Sequence, residues 1–345
     1  MSFRRFLIFG TFIATAVIVV LAMTERFSIS NISLPSMESK PTSPLTGSPG
    51  KSEPVLVVKI DDTSLAHPQV GLREAEVVYI EQVEGGLTRL AAVYASTIPS
   101  IIGPVRSARI SDLELLAQYG KIGFSFSGAQ RKLLPEIANA NLYDVGANKY
   151  GAAFYKNDPL RNPPYAMMLN APALMNEAIN RGASFEMSKE MGWRFGKKSD
   201  LSRKITGVDI SWPAARYGAT WSVEESRWLL THDGSPNLDS EGFHLGPANL
   251  VIQIVSITNS IYKDKVGGVT PFTATVGTGK CYLLRDGGYL PCQWNRPSPE
   301  SGTTFTDTNG DEALFAPGQT WFALTSKEPI FKGETLQDAT VSNTK

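Results

Sequence analysis

The sequence has few of the residues from which metal sites and disulfide frameworks are usually built. Its 345 residues include two cysteines and three histidines, and the formal net charge is zero. A neutral chain without a basic stripe is not expected to bind nucleic acid. The histidines, His67, His232 and His244, show no paired ligand spacing. No zinc site is therefore predicted, and no cofactor is expected.

Recognisable catalytic motifs are also missing. Ser48–Lys51 has Ser-x-x-Lys spacing, but it lies in a Ser- and Pro-rich segment rather than at the start of a packed helix. Asp307–Glu312 resembles a calcium loop, yet Gly310 stands at its fourth position and Gly318 at its twelfth. No phosphate loop and no nucleophile–base–orienter set is present. The sequence therefore identifies no reaction.

The one long apolar run covers residues 6–23 and follows Arg4 and Arg5. As a helix it would be about 27 Å long, close to the hydrocarbon thickness of a bilayer. Positive charge before the run predicts a cytoplasmic end at residues 1–5 and an extracytoplasmic location for the rest of the chain. A cleavable signal peptide is the alternative, but no small-x-small pair follows the run, so a single-pass signal anchor is favoured. No cysteine lies there to carry a lipid.

Composition divides the remainder into four parts. Residues 24–53 are rich in Ser, Pro, Gly and Thr, which predicts a flexible linker. Residues 54–190 alternate strand and helix patterns and predict a mixed α/β domain. Residues 191–328 contain short alternating segments and predict a mostly antiparallel β domain. Residues 329–345 are a polar tail. The predicted fold class is α+β, preceded by a transmembrane helix.

The second domain contains all six tryptophans and seven predicted strands. An exposed set of tryptophans could stack on sugar rings, but at strand spacing most are better interpreted as core residues. The predicted strands are Val208–Trp212, Ala219–Val223, Trp228–Thr231, Leu250–Ile257, Phe272–Gly277, Cys281–Arg285 and Thr320–Leu324.

The first domain is organised around the stretch from Val55 to Arg109. Its first strand, Val55–Ile60, is apolar and ends on Asp61 and Asp62. Two further strands are separated by Gly85-Gly86, a sequence typical of a two-residue hairpin turn. That turn would place Gln82 opposite Arg89 and allow an ion pair between Glu84 and Arg89.

Two arginines, Arg106 and Arg109, precede a predicted helix with a capping box at Ser111–Glu114. Arginines at the positive end of a helix can bind anions. Alternatively, these arginines pair with nearby acids and only stabilise the loop. The abundance of acids favours this structural pairing. The acids Asp61, Asp62, Glu76 and Glu84 could instead hold a divalent cation, although no metal site is predicted.

A polar loop that contains Arg161 is a further candidate, because exposed loops often carry binding residues. The candidate ligand-binding residues are Asp61, Glu84, Arg89, Arg106, Arg109 and Arg161.

These motifs resemble the YerB-like family of bacterial envelope proteins, many of them lipoproteins, whose domain has no known function. The resemblance is carried by Ile60-Asp61, Pro68–Leu72, Ala75–Tyr79, Val83–Arg89 and Ile102–Arg109. It continues through Asn170 and resumes from Trp221 to Leu324. Asp62 and His67 depart from the family, which tends to have Asn and Arg at these positions.

The two cysteines, Cys281 and Cys292, flank Asp286-Gly287 symmetrically, which predicts a cross-strand disulfide in an exported protein. A two-residue turn would put them at a hydrogen-bonded pair, and a four-residue loop would reverse that alternation.

The sequence thus favours an extracytoplasmic envelope protein that acts as a ligand-binding or scaffold module with an arginine-lined anion-binding surface. Its expected partner is a cell-envelope component, either a glycan or a membrane protein. The alternative is an enzyme that acts on a phosphorylated or polyprenyl-linked envelope substrate through Asp or Glu and the arginines. A third interpretation is that the arginines only stabilise the fold.

Overall fold

The computed structural model describes residues 41–333. The predicted anchor (residues 6–23), most of the predicted linker and residues 334–345 lie outside this range. No helix within the described range combines the length and apolar character that crossing a membrane requires.

The first half of the described chain mixes strands with short helices. Its strands are β1 (Leu56–Asp61), β2 (Val77–Gln82), β3 (Thr88–Tyr94), β4 (Ile101–Ile102), β5 (Gly123–Ser125), β6 (Tyr143–Asp144), β7 (Tyr155–Asn157) and β8 (Met167–Asn170). Its helices are α1 (Ile110–Ala117), α2 (Leu134–Asn139), α3 (Ala147–Tyr150) and α4 (Ala171–Asn180), with 3₁₀ turns at Ser64–Ala66, Glu84–Gly86, Arg131–Leu133 and Gly151–Ala153.

The second half is built from strands. These are β9 (Arg203–Lys204), β10 (Gly207–Ser211), β11 (Arg216–Ser222), β12 (Arg227–His232), β13 (Ser235–Pro236), β14 (Asn249–Ile254), β15 (Ile257–Lys263), β16 (Val269–Thr273), β17 (Gly277–Arg285), β18 (Gly288–Arg296), β19 (Thr304–Asp307), β20 (Thr320–Thr325) and β21 (Ile330–Lys332). A mixed α/β first part and a mostly antiparallel second part are confirmed.

An 11-stranded sheet runs through both halves in the order β19-β18-β17-β14-β20-β2-β3-β1-β5-β6, with β9 beside β18. The halves meet where β20 lies parallel to β2. The central sheet therefore contains strands from both sides of the domain boundary predicted near residue 190. The division of the chain into two domains at that point stays a prediction.

The two faces of the central sheet are buried in different cores. On β1, Leu56, Val58 and Ile60 belong to one apolar cluster, whereas Val57 belongs to the other. This follows from the period of two along a strand. A second sheet, in the order β13-β12-β11-β10-β21, contributes Val208, Ile210 and other residues to the first cluster. Helix α1 contributes to the cluster on the opposite face.

The tryptophans behave as predicted for core residues. Trp193, Trp212, Trp228, Trp294 and Trp321 are all buried, and Trp221 is partly buried against Trp228. Burial on this scale leaves them unavailable as a platform for sugar rings.

The predicted register of the β2–β3 hairpin is wrong by one residue. Arg89 lies opposite Glu81, and Gln82 lies opposite Thr88. The glycines do adopt positive φ, with 68° at Gly85 and 75° at Gly86. They do so inside a 3₁₀ turn that lengthens the connection, and loop length determines hairpin register.

Part of the predicted linker and part of the predicted tail lie within the described residues and are packed or paired there. Residues 41–53 pack on the domain, where Leu45 is fully buried and the Ser43 hydroxyl donates to Glu76 at 2.7 Å. Trp193 Nε1 also donates to the Leu45 carbonyl at 3.5 Å, and the Gly318 N–H donates to the Thr46 carbonyl at 2.8 Å. In the predicted tail, Ile330–Lys332 forms β21 and pairs with β10.

The β17–β18 hairpin confirms the predicted disulfide. Asp286 and Gly287 form a two-residue turn with positive φ at both positions. Cys281 and Cys292 lie opposite one another, with their Cα atoms 4.8 Å apart, and form a disulfide.

Candidate functional site

The end of β1 sends two acids to opposite faces of the central sheet. Asp61 lies opposite Arg89 of β3 and shares its face. Asp62, the next residue, accepts a hydrogen bond from the hydroxyl of Thr88 at 2.6 Å on the other face. Because side chains alternate along a strand, one residue step separates two polar clusters. Each contains a carboxylate from the same turn of chain.

The first, the arginine cluster, consists of Asp61, Glu84, Arg89, Arg106 and Arg109. Arg106 Nε lies 2.6 Å from Asp61 Oδ2. Arg109 forms a two-pronged ion pair with Glu84, with Nε 2.6 Å from Oε1 and Nη2 2.7 Å from Oε2. The structure therefore brings together five of the six residues predicted from the sequence.

The predicted ion pair between Glu84 and Arg89 is replaced by the pair between Glu84 and Arg109. Arg89 donates instead to the backbone carbonyl of Ser107, at 2.9 Å. Within residues 41–333 Arg89 has no ion-pair partner. Burial, together with repulsion from Arg109 and Arg106, lowers the pKa of Arg89 to about 9. The one-residue register shift explains the exchange, because it moves Arg89 away from the turn.

The start of α1 is capped by its own chain. The carboxylate of Asp112 accepts from the backbone N–H of Arg109 at 2.5 Å. The predicted capping box at Ser111–Glu114 is therefore displaced by two residues. Asp112 takes the position near the positive helix end that an anion could otherwise occupy.

Beneath the arginine cluster lies a buried ion triad. Lys59 Nζ is 2.6 Å from both Glu81 Oε1 and Asp112 Oδ1, and all three side chains are almost fully buried. Burial, opposed in part by Lys59, raises the pKa of Glu81 to about 8. The attraction of Asp112 and Glu81 raises the pKa of Lys59, although burial acts in the opposite direction. The triad thus connects β1, β2 and α1.

Arg161 lies outside the arginine cluster. Its Nε is 3.2 Å from Asp158, and its Nη1 donates to the carbonyl of Ala66 at 2.9 Å. These contacts attach its loop to the turn that follows β1. Tyr165, at the end of the same loop, lies over Arg106 with its ring centroid 5.5 Å from the guanidinium carbon. Arg161 is therefore connected to the arginine cluster indirectly, because it positions the loop that carries Tyr165.

The arginine cluster meets solvent on one side. The Arg106 side chain is 21% exposed, whereas that of Asp61 is 1% exposed. Ser107 and Ser127 are half-buried beside it, with their hydroxyl oxygens 3.5 Å apart. Arg106, two hydroxyls and the Tyr165 ring therefore form the accessible margin.

The second cluster was not predicted and consists of Asp62, His67 and His232, here called the histidine cluster. His67 Nε2 lies 3.4 Å from Asp62 Oδ1, and His232 Nε2 lies 3.8 Å from Asp62 Oδ2. The imidazole rings stack with their centroids 4.4 Å apart. The ligand-type atoms of the three residues all lie within 4.8 Å of one another.

Asp62 is held in place by neutral donors. Besides Thr88, the Tyr217 hydroxyl donates to Oδ1 at 2.7 Å. Burial alone would raise the pKa of Asp62, but the hydrogen bond from His67 and the nearby His232 and Thr88 hold it below its usual value. Asp62 is therefore a carboxylate in the folded protein.

Sequence spacing did not reveal the histidine cluster because its members come from distant elements. Asp62 and His67 lie in the connection after β1, and His232 ends β12 of the second sheet. The available signal was the pair of acids at the end of a buried strand with His67 shortly after it. Nothing local links that pair to His232.

Two family models match the chain. The N-terminal domain of the proteins of unknown function called DUF3048 matches residues 44–184, and the C-terminal domain matches residues 208–322. Between them the matches include every member of both clusters.

One relative and one solved structure agree with this result. The Bacillus subtilis (strain 168) protein named "Putative lipoprotein YerB" is 24% identical over 349 residues, covering 87% of this chain and 92% of the relative. The crystal structure of YerB protein from Bacillus subtilis matches with a TM-score of 0.70 at 20% identity, covering 84% of this chain and 100% of that chain. This second likeness establishes the fold alone. Because the N-terminal and C-terminal domain models of DUF3048 both match in order, the chain belongs to the DUF3048 family, whose function is unknown.

Proposed function

We propose that this protein is a membrane-tethered, extracytoplasmic envelope protein whose arginine cluster binds an anionic group of an envelope component. The location rests on the apolar run at residues 6–23 and the two arginines before it. The relative's name, which describes a lipoprotein, points to the same compartment. The binding role rests on one observation, the unpaired charge of Arg89.

Charge counting explains why Arg89 matters. The arginine cluster contains three guanidinium groups, but only Asp61 and Glu84 supply negative charge, and each is paired with another arginine. Arg89 is 8% exposed, and its repulsion by Arg109 and Arg106 outweighs its attraction to Asp61 and Glu84. A bound anion would relieve that repulsion, and a planar guanidinium can donate to two oxygens of a phosphate or carboxylate at once.

The margin of the cluster suits a small anionic group rather than an apolar ligand. Arg106 offers the exposed guanidinium, and Ser107 and Ser127 offer hydroxyl donors beside it. Tyr165 covers the guanidinium from one side. Such a site would recognise a phosphate or carboxylate on an envelope glycan, and a membrane protein with an acidic segment is the other candidate partner.

An enzymatic role for the same residues is less well supported. Asp61 forms an ion pair with Arg106 and accepts hydrogen bonds from the Thr63 backbone and hydroxyl. Burial favours protonation of Glu84, but the hydrogen bonds and charge of Arg109 hold its pKa below the usual value. A carboxylate held ionised in this way is a weak general base. Binding therefore fits the cluster better than proton transfer.

The test is binding of pyrophosphate to the purified full-length protein by calorimetry, repeated with isolated cell-wall glycan. Arg106→Gln should weaken both by at least tenfold, because it removes the exposed guanidinium. Arg194→Gln is the matched control, since Arg194 forms an exposed pair with Glu312 and should bind like the wild type. Equal affinity of Arg106→Gln and wild type would refute the proposal. If the wild-type protein binds pyrophosphate and captures a membrane protein but does not bind glycan, the partner is the membrane protein.

Location is tested separately by protease treatment of intact cells. The proposal expects residues beyond the apolar run to be digested without lysis, with a cytoplasmic protein as the protected control. Protection of the whole chain in intact cells, followed by digestion after lysis, would contradict the extracytoplasmic placement.

A further inference from the structure

We propose that the histidine cluster binds one divalent transition-metal ion of the zinc class. Asp62, His67 and His232 would be its protein ligands. The site lies on the opposite face of the central sheet from the arginine cluster, so it does not depend on the anion-binding role.

The donor set suits this class of metal. Two imidazole nitrogens and one carboxylate oxygen are ligands that zinc and its neighbours accept, whereas calcium and magnesium prefer oxygen alone. Ligand atoms in a tetrahedral site with bonds of about 2.0–2.1 Å stand roughly 3.4 Å apart. His67 Nε2 and Asp62 Oδ1 are 3.4 Å apart. His232 Nε2 lies 3.8 Å from Asp62 Oδ2, and the ligand-type atoms of all three residues lie within 4.8 Å of one another.

An unsatisfied nitrogen points into the cluster. The His232 side chain is 6% exposed, and its Nε2 has no hydrogen-bond partner within the described part of the chain. The amide oxygen of Gln69, a fully buried residue whose Nε2 contacts both Asp62 and His67, is likewise without a partner. Buried polar atoms are rarely left unpaired. A metal ion bonded to His232 Nε2 would satisfy that nitrogen.

The surroundings hold the ligands in orientation. Tyr217 and Gln69 both donate to Oδ1 of Asp62, whereas Thr88 is the side-chain donor to Oδ2, which leaves a lone pair on Oδ2 for a metal. On the far side of the His232 ring, Asp233 Oδ2 lies 3.8 Å from Nδ1. At that distance Asp233 is a nearby negative charge and not a hydrogen-bond partner of the ring.

A simpler interpretation is that the three side chains only pack together. A histidine that merely supported Asp62 would donate to it, yet the His232 nitrogen stops at 3.8 Å from the nearer oxygen. Stacking of two imidazoles at 4.4 Å also places two titratable rings side by side for no evident structural gain. Shared coordination of one ion accounts for both features.

The proposed ion would connect the two halves of the protein. Asp62 and His67 lie in the segment matched by the N-terminal model, and His232 lies in the segment matched by the C-terminal model. Metal that binds only the folded state stabilises it by mass action. With three protein ligands, the fourth position would remain for water or substrate, on the side where His67 is 17% exposed.

The test uses full-length protein without an affinity tag, stripped by chelator and titrated with Zn²⁺ in a calorimeter. We expect one Zn²⁺ per chain and a rise in the unfolding temperature. His67→Gln plus His232→Gln should weaken binding at least 100-fold, and Asp62→Asn at least tenfold. His244→Gln should bind within twofold of the wild type, because His244 lies outside the cluster and contacts the Leu230 carbonyl.

X-ray absorption of the Zn²⁺-loaded wild type gives a readout that does not depend on how the variants fold. Two imidazole ligands are expected. Failure of the wild type to bind one equivalent, a spectrum without imidazole, or undiminished binding by the double histidine variant would each overturn the proposal. Pyrophosphate binding should be unchanged in the double histidine variant, which separates this test from that of the arginine cluster.

Discussion

The two clusters at the end of β1 differ in how their carboxylates are satisfied. In the arginine cluster, Asp61 and Glu84 are each bound by a guanidinium at 2.6 Å. In the histidine cluster, Asp62 is held by hydroxyl groups, and a buried imidazole nitrogen beside it has no hydrogen-bond partner in residues 41–333.

This difference suggests a division of labour. Breaking a buried ion pair leaves an uncompensated charge and is costly, so most of the arginine cluster and the triad beneath it should contribute to stability. Replacing an imidazole whose nitrogen has no hydrogen-bond partner should lower the free energy of unfolding only slightly. Side chains of the histidine cluster should therefore matter more for binding than for folding.

The largest effect is expected at the buried triad. Lys59→Met should lower the free energy of unfolding by about 3 kcal/mol or more, because Asp112 would lose its cation and Glu81 its hydrogen-bond donor. Urea denaturation measures the change. Lys332→Met, which removes a half-exposed pair with Asp209, is the control and should cost less than about 1 kcal/mol. Equal costs would show that the triad is not a stabilising element.

A smaller loss is expected in the arginine cluster. Arg109→Met should reduce the free energy of unfolding by about 2 kcal/mol, since Glu84 would remain largely buried without its two-pronged partner. The double variant Arg109→Met plus Glu84→Met should recover part of this loss. If the double variant is as unstable as the sum of the single variants, the pair is not coupled.

Stability should also depend on pH through Glu81. Its pKa is raised from 4.5 to about 8 in the folded protein, so its stabilising contribution is complete below pH 4.5 and is lost as pH rises toward 8. Glu81→Gln should therefore flatten the decline in unfolding free energy between pH 5 and pH 8. Urea midpoints across this range provide the measurement. Glu328→Gln, at an exposed ion pair, should leave the slope as it is in the wild type.

The smallest change in stability is expected at the histidine cluster. In the presence of chelator, His232→Gln should alter the free energy of unfolding by less than about 1 kcal/mol, because its Nε2 has no hydrogen bond to lose. A loss as large as that of Arg109→Met would mean that the histidine cluster is structural, and the contrast between the clusters would fail.

Periodicity and turn residues predicted much of the fold. The strand at Val55–Ile60 appears as β1, one residue later at each end, because an apolar β-branched run is buried on both faces. Helices α2 and α4 each have a proline in the first turn, Pro135 and Pro172, where the missing N–H costs the helix no hydrogen bond. The loop between Cys281 and Cys292, for which the sequence left two or four residues open, has two because Asp-Gly accepts positive φ at both positions.

Errors arose where loop geometry outweighed the local pattern. Gly85-Gly86 indicated a two-residue turn, but the 3₁₀ turn lengthened the connection and shifted Arg89 by one position. The polar segment at residues 41–53 gave no sign that Leu45 would be buried, since burial depends on a pocket formed by distant strands.

The sequence by itself determined the apolar strands, the cross-strand disulfide and the supply of acids and arginines around β1, because each follows from neighbours along the chain. Only the tertiary structure decided that Arg109 rather than Arg89 pairs with Glu84, and that His232 meets Asp62 and His67. Strand register and sheet packing select such partners, and both depend on contacts between residues that are far apart in sequence.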